Sequence, residues 1–134
     1  MEAKVKYTNG VEFAVDVRGH RLLCDQPVDK GGNDRGITPP EFLLASLGTC
    51  AGYYAVEYLK ARGLDASNVE VSVRAEKALN PGRLARFWID VDVPGLTDER
   101  HREGVMRAVK RCLVHNTLAM APEIEVRIHA PVTM

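Results

Sequence analysis

Between Glu41 and Lys60 the chain carries one charged side chain, Glu57, and this stretch limits what the rest can fold into. Its ends read as helix ends. Thr38 is a natural N-cap, Pro39 suits the first helical position, and Glu41 stands three residues after the threonine, the spacing of a capping box. Lys60 and Arg62 fall in the last turn, and Gly63 follows as the stop. A helix that is apolar on nearly all faces is buried nearly all round. Ala45, Gly48, Ala51, Gly52 and Ala55 add small side chains that let another backbone approach. The helix is therefore expected at the centre of the molecule.

The segments around it alternate with the period of strands. Ala3, Val5 and Tyr7 alternate with lysines, Asn9-Gly10 offers a tight hairpin, and Val11, Phe13, Val15 and Val17 alternate in turn. Gly19-His20 turns the chain into a third strand near Arg21 to Asp25, so an antiparallel meander is expected. A polar, glycine-bearing loop leads from Asp25 to Gly36. After the long helix, Val69, Val71, Val73 and Ala75 form one alternating face, and Ala85, Phe87, Ile89, Val91 and Val93 another. Asn80-Pro81-Gly82 turns between them. Thr97-Asp98-Glu99 starts a second helix through Val105, Ala108, Val109 and Cys112, and Met120-Ala121-Pro122 ends it or a short following helix. Ile124, Val126, Ile128 and Ala130 predict a last strand. The order βββ-α-ββ-α-β is an α+β pattern in a single domain over 1–134. One sheet covers only one side of an apolar helix, so the pattern predicts a homodimer with the central helices buried between sheets.

The 134 residues suit one domain with a moderate core, and 18 basic side chains balance 18 acidic ones. No net field draws nucleic acid or an acidic membrane, and no basic run suggests either partner. The weakly charged stretch from Phe42 to Val56 is too short to span a bilayer, and the first residues lack an apolar signal core. A cytoplasmic location is the default expectation. There, three cysteines argue against a structural disulfide framework, because the compartment keeps thiols reduced.

Cys50, in the long helix, and Cys112, near the end of the second, sit on elements able to pack together. Taken singly, each reads as a small apolar core residue, and Cys24, on a strand, reads so too. Taken together, they allow thiol–disulfide chemistry, provided their Cα atoms come within roughly 7 Å. Cys50 lies about three turns inside its helix, too deep for the dipole to activate it. A working thiolate needs a side chain from another element; Arg18, Arg21 and Arg35 are candidates. Glu41 is first of all a helix cap. If activated, Cys50 could attack an electrophilic oxygen or sulfur. A peroxide would give a sulfenic acid, with which a nearby second thiol condenses. The apolar Phe42, Leu47, Tyr53 and Tyr54 would favour an organic peroxide over a small hydrated one. His115 follows Cys112 by three, yet no second compact pair completes a zinc site, and no metal or cofactor is expected. The glycines 31, 32 and 36 fit neither phosphate-binding motif.

The run Gly31-Gly32-Asn33-Asp34-Arg35-Gly36-Ile37-Thr38-Pro39-Pro40-Glu41, continuing through Phe42-Leu43-Leu44-Ala45-Ser46-Leu47-Gly48-Thr49 to Cys50, resembles the signature of the OsmC/Ohr family. Tyr58-Leu59-Lys60-Ala61-Arg62-Gly63-Leu64 and Cys112-Leu113-Val114-His115-Asn116-Thr117-Leu118 match it as well. The resemblance implies an intertwined homodimer with two-cysteine sites near the subunit interface. It implies reduction of organic hydroperoxides, with Cys50 as peroxidatic thiolate and Cys112 as resolving thiol, a dithiol as reductant and no metal. The likeness is to the OsmC-like branch. Better-characterised branches carry a glutamate ten residues before the first cysteine, holding the activating arginine, where this chain has Pro40. Arg18, Arg35 and Glu41 are the remaining candidates to activate or orient Cys50. Two other readings fit the same residues: a protein binding a small acyl or aromatic ligand in an apolar interface pocket, and a thiol-based redox sensor without efficient turnover.

Overall fold

A computed structural model gives the structure of residues 1–131. The amino-terminal meander comprises β1 (Lys4–Asn9), β2 (Glu12–Val17) and β3 (His20–Cys24), antiparallel in that order. The first turn is Gly10-Val11, one residue on from the expected Asn9-Gly10 because Asn9 still pairs with Glu12, and Gly10 takes φ 55°, a conformation a side chain would oppose. The long helix α1 spans Pro39–Ala61, and its capping box closes as the sequence predicts. The Thr38 hydroxyl accepts from the Glu41 amide at 3.4 Å, and the Glu41 carboxylate accepts from the Thr38 amide at 2.9 Å. A second antiparallel pair follows, β4 (Glu70–Ala78) and β5 (Arg83–Asp92), with Val71, Val73 and Ala75 facing Val91, Ile89 and Phe87.

The core forms where α1 lies on β4 and β5 and is crossed by α2 (Glu99–Val109). Ala51, Ala55, Leu59, Val105 and Val109 are buried there, and Val71, Ile89 and Val91 pack against them. The small side chains of α1 do what the sequence suggests. A Cβ on Gly48 would lie 3.3 Å from Val73 Cγ2, and one on Gly52 3.5 Å from Val71 Cγ2, so β4 crosses close above this stripe. At Gly104 the approach is closer still. A Cβ there would run into the ring of Tyr58, whose hydroxyl meets His101 Nδ1 at 3.1 Å and ties α1 to α2.

Burial of α1 within one chain is narrower than expected. Leu47, Ala51, Ala55 and Leu59 form one buried stripe, while Ala45, Thr49, Tyr53 and Glu57 on the far side are exposed. The meander shows the same shortfall. Register places Val5, Val15 and Leu22 in one row of its face, and Tyr7 and Phe13 in the next. Val5, Tyr7 and Leu22 are more than half exposed, while Glu12 and Ala14 on the opposite face are buried. No other named helix or strand packs extensively on this sheet among the described residues.

Two local expectations change. The last predicted strand does not form: Ile124, Val126 and Ile128 are 81%, 79% and 85% exposed in an irregular segment. A strand exists only when a neighbour takes its amide and carbonyl groups. The alternation is present, and among the described residues no segment pairs with it. The second helix ends early, at Val109, and a separate helix α3 (Leu113–Ala119) begins with Cys112 as its N-cap.

Between β3 and α1 the loop is organised by Asp25, which is almost fully buried. Its carboxylate accepts from the amides of Gln26 at 2.8 Å and of Asn33 and Arg35 at 3.1 Å. The Arg35 amide, then that of Gln26, holds the Asp25 carboxyl below its usual range, outweighing the effect of burial. A lowered carboxyl stabilises the fold above the unfolded value, roughly 3.9, and that stability is lost as pH falls through the folded one. The loop therefore sits firmly at neutral pH and loosens in acid.

Candidate functional site

The two cysteines singled out in the sequence meet. Cys50 lies about three turns into α1, half-buried, and Cys112 is buried at the start of α3, which packs on α1. Both are free thiols, and a side-chain hydrogen bond relates Cys112 to Cys50. The Cys112 sulfur also accepts from the His115 amide at 3.5 Å. The interruption of the helix between α2 and α3 makes this possible, because it turns Cys112 from a helix-interior residue into a cap aimed back at α1.

Burial pushes the Cys112 thiol above its ordinary pKa, and the hydrogen bond with Cys50 pushes it further. The His115 amide pulls the other way and loses. Cys112 thus keeps its proton at neutral pH, while Cys50 is the thiol that solvent reaches. Cys24, buried on β3, is likewise raised by burial and by the charge of Asp25, and it has no sulfur partner. The fold separates it from the pair, as the core reading of this residue expects.

The shift at Cys112 gives a test by alkylation. Cys50 is expected to react first with iodoacetamide, and Cys112 only as pH climbs past the roughly 8.5 of an ordinary thiol. A raised thiol stabilises the fold fully below that value, and the contribution is lost as pH rises through the folded pKa. Peptide mapping across pH in native and in urea-unfolded protein reads this directly. The same Cys112 midpoint in both states would contradict it.

Of the other candidates, Arg21, Arg35 and Glu41 are engaged by groups other than the thiols. Arg21 pairs with Asp16 at 2.9 Å, and Glu41 is taken up by the cap of α1. Arg18 is exposed in the turn between β2 and β3, at φ 49°. Arg35 pairs with Glu12 at 3.1 Å. Glu12 is a residue that the sequence reading passed over. Its side chain is buried, and its other oxygen accepts from the Thr8 hydroxyl at 2.7 Å. No local pattern marks it, because its partner lies across the loop that Asp25 organises. Pro40 sits in the first turn of α1 and offers no carboxylate. Among the described residues, no cluster of three or more His, Cys, Asp or Glu side chains could hold a metal ion. None of the helices described is long and apolar enough to cross a membrane.

The family model described as OsmC-like protein matches residues 31–127, more than half of the chain, including both cysteines. This chain belongs to the OsmC-like family. No curated protein matches it. Solved structures of the family share its fold. One is described as an osmotic stress induced and detoxification response protein from Psychrobacter arcticus 273-4. It is 19% identical with a TM-score of 0.78, over 86% of this chain and 85% of that one. An OsmC-like protein from Mycoplasma pneumoniae is also 19% identical, with a TM-score of 0.69, over 90% of this chain and 89% of the other. An organic hydroperoxide resistance protein OsmC from Legionella pneumophila is 16% identical, with a TM-score of 0.62, over 88% and 89%. At these identities the likeness establishes the OsmC-like α+β fold, and the sites must be argued from this chain's own residues.

Proposed function

We propose that this OsmC-like protein reduces organic hydroperoxides through its two thiols and is recharged by a dithiol. What carries the reading is the unequal pair: an accessible Cys50 beside a buried Cys112 that holds its proton. The Cys50 thiolate attacks the distal oxygen of ROOH, the O–O bond breaks, and RO⁻ takes a proton and leaves as the alcohol. Cys50 becomes a sulfenic acid. Cys112 then attacks that sulfur, the S–S bond forms, and the sulfenic oxygen leaves as water with the Cys112 proton. Two exchanges with a dithiol restore both thiols and release the oxidised reductant as a disulfide. The high proton affinity of Cys112 suits its place as second nucleophile, since it stays out of the first step. The family also supports the reading, as does the name of the similar Legionella protein.

The test is consumption of cumene hydroperoxide by the reduced protein with a dithiol in excess. One alcohol should appear per dithiol oxidised. A protein that forms no Cys50–Cys112 disulfide after hydroperoxide, and turns over none of a panel of alkyl and lipid hydroperoxides, would refute the proposal.

The working unit in this reading is a homodimer. An apolar sheet face on which, among the described residues, no other named helix or strand packs extensively, an exposed alternating segment from Ile124 to Ile128, and the exposed side of α1 together offer a large apolar surface for a second copy to cover. A second copy covering them supplies the missing neighbour for the last strand. Sedimentation at tens of micromolar should give twice the 14.8 kDa of one chain; a single-chain mass would remove the dimer from the proposal.

A further inference from the structure

Between β5 and α2 lies a cavity of about 690 Å³ that the chemistry above leaves unused. None of its lining residues is a cysteine, and none belongs to the surfaces assigned above to a second copy. It follows the edge of a strand. Ile89, Asp90, Val91, Asp92 and Val93 line it in succession, whereas a cavity over one face of a sheet meets only every second residue. β5 pairs with β4 alone among the described residues, so its other edge is unpaired. α2 packs along α1 and makes no extensive contact with β5, which leaves the trough its width.

An unpaired edge presents amides and carbonyls that need partners. The two sides of the trough say what kind. The α2 side is apolar, with Leu96, Val105 and Met106, the last 57% exposed. The outer side is acidic. Asp92 stands opposite Glu70 in one cross-strand row, two like charges that destabilise each other. Asp90 reaches Arg74 only at 4.0 Å. Within the lining Arg102 pairs with Glu99 at 3.0 Å, which leaves Arg107 alone against Asp90, Asp92 and Glu103. A third strand carrying cations in these rows would relieve the repulsion.

We infer that the edge of β5 is a docking site for an extended basic peptide from a separate partner. The peptide adds as a third strand, its apolar residues turned under α2 and its lysines or arginines beside Asp90 and Asp92. Main-chain hydrogen bonds hold such a strand, and alternate side chains select it. The last segment of a second copy fits poorly here. Glu123 and Glu125 alternate with its apolar residues and would set like charges beside the two aspartates. The first strand of a second copy, with Lys4 and Lys6, is the rival occupant that the experiment separates.

The experiment measures, by fluorescence anisotropy on the full chain, binding of a labelled peptide that alternates lysine and valine over about seven residues, a typical strand length. A peptide with glutamate for lysine is the control and should bind at least roughly tenfold more weakly, the size of two cross-strand charge pairs. Asp90→Asn/Asp92→Asn should weaken the lysine peptide by a similar factor. Met106→Lys, on the exposed side of α2, should weaken it too by crowding the trough. Amide exchange in residues 89–93 should slow when the lysine peptide binds. Equal binding of the two peptides, no binding of the lysine peptide, or unchanged exchange in residues 89–93 overturns the inference and leaves the aspartates as guards of a bare edge. Should the peptide bind only after Lys4→Glu/Lys6→Glu has freed the edge, the occupant is the first strand of a second copy, and the inference falls as well.

Discussion

Cys50→Ser is expected to lower hydroperoxide turnover by at least roughly 10³-fold, because a serine hydroxyl stays protonated and forms no sulfenic acid. The loss should come without unfolding. Cys50 is half-buried rather than sealed in the core, and serine is close to it in shape. Cys112→Ser should behave differently. Serine is a good N-cap and can accept from the His115 amide in place of sulfur, so α3 keeps its start. That protein should consume one equivalent of hydroperoxide and stop, with the Cys50 sulfenic acid trapped by dimedone and seen by mass spectrometry. Cycling by Cys50→Ser at the wild-type rate would end the assignment of the peroxidatic role. A multiple-turnover rate unchanged in Cys112→Ser would end that of the resolving role.

The parts of this site legible in sequence are those written in local chemistry. The cap at Thr38 and Glu41 and the alternation of β4 and β5 each occupy a few neighbouring residues, and each folds as its pattern predicts, while the first turn falls one residue beyond Asn9-Gly10. The meeting of Cys50 and Cys112 was legible only as a possibility, since it depends on how two helices cross. What fixes it is the stop at Val109, which no glycine or proline announces. The Glu12–Arg35 pair was invisible, because it joins residues 23 positions apart across a loop held by three amides on Asp25. The last strand shows the opposite failure. Its alternation is plain, yet pairing belongs to two segments, and among the described residues none pairs with it. That is the physical content of the dimer proposal: the residues at fault in the single chain are those a second copy would satisfy.

Gly36→Ala is expected to be the most damaging single-atom change in the loop that leads to the site, costing roughly 2–4 kcal/mol or preventing folding. The reason is contact, since Gly36 does not need a left-handed backbone. An added Cβ would lie 2.0 Å from the Leu23 carbonyl oxygen and 2.5 Å from its carbon, with the Cys24 nitrogen at 3.2 Å. These are backbone atoms of β3 and cannot swing aside, unlike the Tyr58 ring that a methyl on Gly104 would meet. The loop lies this close because Ile37 bridges to Cys24 and its carbonyl accepts from the Asp25 amide at 3.2 Å. A methyl group there separates the loop from β3 and moves Arg35 away from Glu12. Gly32→Ala should act alike, its Cβ falling 2.0 Å from the Gln26 carbonyl oxygen and 2.8 Å from Asp25 Oδ1. Gly82, with open space around it and no left-handed backbone, is the control and should change stability by less than about 0.5 kcal/mol on becoming alanine. Urea unfolding of the three variants measures the differences. If Gly36→Ala unfolds within that same margin of the wild type, the loop does not press on β3 and the Asp25 clamp is not what holds Arg35 in place.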